Sequence, residues 1–328
     1  MTSNISTAIT IDSSVNRLIS ARIGFRQIGQ PILFTFGLIG CSLNILIFLR
    51  PSLCTNSCAI CFHTSTWANL FCLTFSLFVG MISFFINYNL LLYNTLSCKM
   101  RYYILTNCQL ISRACVVFAC LDRFFLCSPN VHHRLFCRSK IAIRNLFIII
   151  GFCSCLTVYV LVVYDAFPQT RQCTTNSSAG RIIDTAVLFV FNFGIPAVSM
   201  TILSCAILWR LKQNAKRLDQ QKINVRKRDV QLATMLLGQV VLYILTALPF
   251  VSNFVYITLT QYDLPSSKSA YRSSAESLAI TATGAFGIYV FNAMTFYVYT
   301  LTAPSFRRQL VSSVIPRRWI NGFQRADP

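Results

Sequence analysis

CKMRYYILTNCQLISRACVVFACLDRF, residues 98–124, sets the frame for the whole chain. It opens on a cysteine, runs on as a mostly apolar helix and ends on Leu121-Asp122-Arg123-Phe124. A helix rises about 1.5 Å per residue, so the 24 residues from Cys98 to Asp122 span roughly 36 Å. That exceeds the roughly 30 Å of a bilayer's hydrocarbon core. One helix therefore carries an anchor at one face of a membrane and a charge pair at the other.

The rest of the chain can be placed around it. Of 328 residues, 55% are hydrophobic and 12% charged, against about 25% charged in a soluble domain. The apolar residues fall in seven blocks: Pro31–Leu49, Ala59–Tyr88, Tyr102–Leu121, Ile141–Tyr164, Ala186–Trp209, Leu232–Leu259 and Ala275–Tyr299. Each has the length of a membrane span. Lipid offers no partner for free backbone N–H and C=O groups, so each should be helical. The expected fold is an all-α membrane protein, a seven-transmembrane helix bundle. Residues 1–30 are expected as an extracellular tail, 31–303 as the bundle, and 304–328 as a short amphipathic helix and cytoplasmic tail. The first 30 residues lack the n-region, h-region and cleavage pattern of a signal peptide.

A net charge of +20 invites a nucleic-acid reading, but its distribution argues against one. With the amino terminus outside, the inner face carries Arg50, Arg123, Arg134, Arg138, Lys140 and Arg144, the run Arg210–Arg228, and the tail from Arg307. That is the positive-inside bias of a multi-pass membrane protein, and such loops also hold anionic lipid. Nucleic acid is not an expected partner. Of 15 cysteines, only Cys98 and Cys173 fall clearly outside. The rest lie in spans or inner loops, where thiols stay reduced. A Cys98–Cys173 bond would tie the third span to the loop before the fifth; the alternative is two free thiols.

Asn4-Ile5-Ser6 and Asn176-Ser177-Ser178 are N-glycosylation sequons, and both fall outside. In the first span, Gly37 and Gly40 permit close helix contact, and Asn44 can bond across helices. Asn69 in the second span reads as an interhelical bond or as part of a switch. Arg113 lies nine residues before Asp122, roughly 13 Å deeper in the bilayer. A charge there must be paired or hydrated. No acid lies at that depth in any span, so Arg113 is expected to bond to carbonyls, hydroxyls or amides. Cys127, His132, His133 and Cys137 match no common closed zinc site and read as a solvated basic loop. Pro196 and Pro249 each free a carbonyl and kink a span. Asp229 stands at the inner start of the sixth span. After Tyr299, Pro304 suits a helix start, and Phe306 and Leu310 flank arginines as in a short surface helix.

This layout resembles the rhodopsin-like G-protein-coupled receptors from about Pro31 to Leu310, and most of all divergent invertebrate receptors grouped with neuropeptide receptors. The matching residues are Asn44, Cys98 with Cys173, Asp122-Arg123-Phe124, Pro196, Pro249, and Tyr299 with Phe306-Arg307. The sequence departs from the family at Asn69, where an Asp is usual, and at Ala247, where a Trp is usual. Thr295-Phe296 stands in place of Asn-Pro, and the fourth span has no Trp. Leu105 and Tyr289 stand where amine receptors and opsins carry their Asp and Lys.

The resemblance implies an extracellular ligand, probed as a peptide or a small molecule, and a heterotrimeric G protein inside. Asp122, Arg123, Phe124, Asp229 and Tyr299 would form the switch. Arg123 held to Asp229 would keep spans 3 and 6 together. Aromatics and acids at the outer ends suit a basic, aromatic ligand, with Tyr102, Asp184, Phe254 and Glu276 as candidate contacts. No acid pair, metal cluster or phosphate loop suggests an enzyme, a metal or a cofactor. The rival class is a transporter or channel, which usually shows repeats or several ionisable groups inside the membrane.

Overall fold

The computed structural model describes residues 2–86, 94–128, 132, 135–167, 172–221, 227–260, 268–304, 306–308 and 310. Seven helices among them are long and apolar enough to cross a membrane. They are span 1 (Ser13–Phe48), span 2 (Ser57–Phe85), span 3 (Thr95–Leu126), span 4 (Ser139–Val163), span 5 (Ser178–Arg210), span 6 (Leu232–Ile257) and span 7 (Ala270–Thr302). The expected all-α, seven-span fold is what forms.

Span 3 is the most enclosed of the seven. Its inner surfaces bury Leu110, Arg113, Val116, Ala119 and Arg123. Span 4 turns Phe147, Ile148 and Phe152 outward, with Phe147 72% exposed. Span 6 does the same with Leu245 and Leu248. Apolar exposure on this scale exceeds what a soluble monomer tolerates, and hydrocarbon satisfies it. Gly37 sets the distance between spans 1, 2 and 7. A Cβ there would lie 2.6 Å from Leu73 Cδ1 and 3.1 Å from Ala293 Cβ, so the close approach expected at this glycine is present.

Residues 1–30 differ from the expected tail. Helix Thr2–Gly24 continues through a π-helical stretch, Phe25–Gly29, into Gln30–Phe48. No Gly or Pro interrupts residues 2–23, and the helix leans on the start of span 7. There the Arg22 guanidinium donates to Ser277 Oγ, while Arg26 sits 5.9 Å from the centre of the Phe84 ring at the end of span 2.

The loop after span 4 contains a two-stranded antiparallel hairpin, β1 (Tyr164–Phe167) and β2 (Gln172–Thr175), with Ala166 opposite Cys173. Cys173 is bonded to Cys98 at a Cα separation of 5.8 Å. The hairpin is thereby fixed to the start of span 3, where Tyr102 stacks on Tyr164 at 4.3 Å between ring centres. Lys99 pairs with Asp165 at 3.4 Å. Past span 7, extended backbone at Ala303 breaks the helix. Phe306 then turns back against Phe48, Phe296 and Tyr299, and Leu310 packs on the same core. Residues 311–328 lie outside the described residues, as do the expected loop residues His133 and Arg134.

Candidate functional site

The middle of the bundle is organised by Arg113, which is 1% exposed. Its Nη1 donates to Gln109 Oε1 at 3.0 Å, one turn earlier on span 3, and to Asn192 Oδ1 at 2.8 Å on span 5. Its Nη2 donates to the Gly287 carbonyl of span 7 at 3.3 Å. Two ring faces complete the surroundings, Phe193 at 5.0 Å and Tyr243 at 5.6 Å from the guanidinium carbon. The amides and carbonyl expected from sequence are thus present, supplied by three different spans.

Pro196 explains why span 5 offers so much here. Lacking an N–H, it leaves the carbonyl of Asn192, four residues earlier, without a helical donor. Tyr243 Oη fills that gap, donating to Asn192 O at 2.6 Å and reaching Phe193 O at 3.2 Å. The bond joins span 6 to span 5 beside the arginine. Tyr243→Phe strands the Asn192 carbonyl and is expected to lower stability by about 1 kcal/mol, read as a lower unfolding temperature with expression unchanged. Gly287 is equally constrained, since a Cβ there would meet Phe250 Cβ at 2.4 Å. Any side chain would push away the carbonyl that Arg113 uses.

A second centre lies at the far end of span 3. Arg123 is 2% exposed and pairs with Asp122, Nη2 to Oδ2 at 2.7 Å and Nε to Oδ2 at 3.1 Å. The same Nη2 donates to Asn56 Oδ1 at 2.8 Å. Asn56 also caps span 2 by accepting from the Cys58 N–H. Ser57 Oγ donates to Asp122 Oδ1 at 2.5 Å. The charge pair is thus clamped to the first turn of span 2. Phe124 offers its carbonyl to Arg210 Nη1 at 3.0 Å, and the Arg210 guanidinium lies 3.7 Å over its ring. Cys137 follows in the loop, its Sγ 3.2 Å from the Asp122 carbonyl. Burial and the Asp122 charge push this thiol up to about 12. Asp229 lies on helix Lys227–Leu259, but its side chain is outside the described residues.

Tyr299 is buried, with its hydroxyl donating to Gln239 Oε1 at 2.8 Å. Its ring is packed among Phe48, Phe62 and Phe306. Pro249 sits inside the span 6 helix. Asn44 and Asn69 are buried, but their amides meet no partner among the described residues, and the bonds across helices expected of them are not seen there. Asn292, a turn before Thr295-Phe296, instead donates to Cys72 Sγ at 3.1 Å.

At the disulfide end the acids are already engaged. Asp184 accepts from the hydroxyls of Tyr159 and Tyr164, each at 2.9 Å. Burial, and then the Asp184 charge, raise the Tyr164 hydroxyl well above its ordinary value. Glu276 is held by Lys268 at 2.8 Å and by Arg272 at 3.0 Å. Phe254 stacks on Phe250 at 6.0 Å. Arg101 reaches inward, Nη2 donating to the Ser76 carbonyl at 3.0 Å beside the Ser76–Tyr289 hydroxyl pair. Asn176 is exposed, with Nδ2 donating to Val162 O at 3.1 Å. The side chain of Asn4 is outside the described residues. No group of three or more His, Cys, Asp or Glu among the described residues could hold a metal.

Sequence reasoning missed Asn56, Ser57, Gln109, Asn192 and Tyr243. Gln109 stands four residues before Arg113, on the same helix face. Asn192 is the lone amide in Leu188–Gly194, and Gln239 and Tyr243 share a face of span 6. Compared with models of known protein families and with curated protein sequences, the chain matches none of them.

Proposed function

We propose that the chain is a seven-helix receptor that binds an extracellular ligand at the disulfide end and activates a heterotrimeric G protein at the Arg123 end. The observation that carries this reading is the Asp122–Arg123 clamp. A buried cation at the inner end of the central span is held by partners that include the Asp122 carboxylate and the Asn56 amide, and these can be exchanged for new partners when helices move. An agonist that favours the open arrangement shifts the balance by its differential affinity. Tyr299 and the turn to Phe306 brace the neighbouring inner end. The basic inner segments are expected to rest on anionic lipid. The ligand would enter near Tyr102 and Phe254. Because Asp184 and Glu276 are already compensated, a cationic peptide would have to compete with Lys268, Arg272 and the hydroxyls of Tyr159, Tyr164 and Tyr256.

The test is a G-protein activation assay at matched surface expression. Arg123→Ala is expected to abolish output, and Asp122→Asn to raise basal output severalfold by freeing the guanidinium. If Asp229 also restrains Arg123, Asp229→Ala raises basal output as well. A neuropeptide library then probes the ligand class. Silence from every variant at the cell surface, together with substrate flux into vesicles, would replace this reading with a transporter.

A further inference from the structure

The polar centre around Arg113 has more donors than acceptors. A guanidinium has five N–H donors and no acceptor. Every amide it meets must therefore turn its oxygen inward and its NH2 away. Asn192 does so: Oδ1 takes Nη1, and Nδ2 is left buried without a partner among the described residues. Arg113 Nε is likewise buried without one. It lies on the same edge of the guanidinium as Nη2, whose one hydrogen bond among the described residues is the 3.3 Å bond to Gly287 O. That edge is the fork that receives two-pronged anions.

The charge is also uncompensated. Asp122 lies roughly 13 Å along span 3, and Asp184 roughly 12 Å along span 5 from Asn192. Asp122 is bound to Arg123 and Asp184 to two phenols. A water molecule would answer a donor but bring two more and no charge. A cation at this depth is stable only when paired or hydrated.

We propose that the bundle holds a small monovalent anion, a halide or a carboxylate, on the Nε/Nη2 edge of Arg113, whose Nη1 is oriented by Asn192 Oδ1. The site joins spans 3, 5 and 7 and touches Tyr243 of span 6. Its occupant therefore ties together the helices that a conformational change would separate. The proposal does not depend on the receptor reading.

The test uses the purified full-length chain in zwitterionic nanodiscs. Thermal unfolding is followed in sodium gluconate titrated with chloride, bromide, formate or acetate at constant ionic strength, alongside retention of radioactive chloride. The expected result is an unfolding temperature that rises by about 3 °C per tenfold increase in anion once the site fills. Asn192→Leu should move that rise to higher concentration, and Arg113→Gln should abolish it. Stabilisation by chloride and bromide, with about one retained chloride per chain, assigns a halide. Stabilisation by formate and acetate alone assigns a carboxylate. Two results would overturn the site: a wild-type unfolding temperature indifferent to all four anions with no retained chloride, or an anion response that survives Arg113→Gln. If Arg113→Gln does not fold, the wild-type chloride stoichiometry and the Asn192→Leu shift decide the matter.

Discussion

Tyr299→Ala is expected to cost about 3–5 kcal/mol of stability, the range for removing a large buried aromatic. The ring is 1% exposed and packs against Phe62 at 5.1 Å, Phe306 at 5.8 Å and Phe48 at 6.0 Å. Those three come from span 2, from the segment after span 7 and from span 1. Truncation would open a cavity where four segments meet, and the rigid helices cannot collapse to fill it. Tyr299→Phe keeps the ring and removes only the donor to Gln239, so it should cost about 1 kcal/mol. Unfolding in mixed micelles would separate the two. If Phe cost as much as Ala, the hydroxyl rather than the packing would govern this corner.

Loss of the Cys98–Cys173 bond is the second large expected effect. The bond closes a loop with a sequence separation of 75. In the chain-entropy account a loop of that length is worth about 4 kcal/mol. The Tyr164 hydroxyl on Asp184 and the Asn176 side chain on Val162 O also hold the hairpin, but neither closes the long loop. The Lys99–Asp165 pair is partly solvated, and such pairs contribute about 0–1 kcal/mol. The Tyr102–Tyr164 stack would add about 1 kcal/mol. The double variant Cys98→Ala/Cys173→Ala should therefore unfold at markedly lower denaturant, and reductant should shift the wild type toward it while leaving the variant unchanged. A reductant effect of equal size on both would place the sensitivity in the other thiols.

The spans were legible because hydrocarbon leaves so few options. A block of apolar residues long enough to cross must be a helix, and seven such blocks formed seven helices. Their ends were less legible. Span 5 begins at Ser178 rather than Ala186, and span 7 at Ala270 rather than Ala275, because polar first turns such as Ser178-Ala179-Gly180-Arg181 are helical without being apolar. The helical start of the chain escaped notice for the same reason: Arg22 and Arg26 read as solvated tail until Ser277 of span 7 and Phe84 of span 2 are there to receive them. The need of Arg113 for carbonyls and amides followed from its depth alone. That Asn192 and Gly287 would supply them could not be read, because both are brought there by the packing of distant spans. Asn44 and Asn69 show the limit from the other side, since an amide inside a membrane bundle was expected to find a partner and these two meet none among the described residues.

The π-helical stretches carry one further consequence. Those of spans 2, 5 and 7, Leu73–Phe78, Leu188–Gly194 and Phe286–Val290, contain Ser76, Asn192, Gly287 and Tyr289, the groups that meet Arg101 and Arg113. Such a bulge holds an extra residue in a turn, and one residue corresponds to about 100° of rotation in a helix. Each stretch is therefore a phase break, with the half of the span beyond it turned by roughly a quarter of a revolution from where regular spacing would place it. Spans 2, 5 and 7 thus set the inward faces of their two halves separately, around a span 3 that runs through the arginine layer as one unbroken helix. Losing a single residue from 188–194 would leave the Pro196 half in place and swing Asp184 away from Tyr159 and Tyr164.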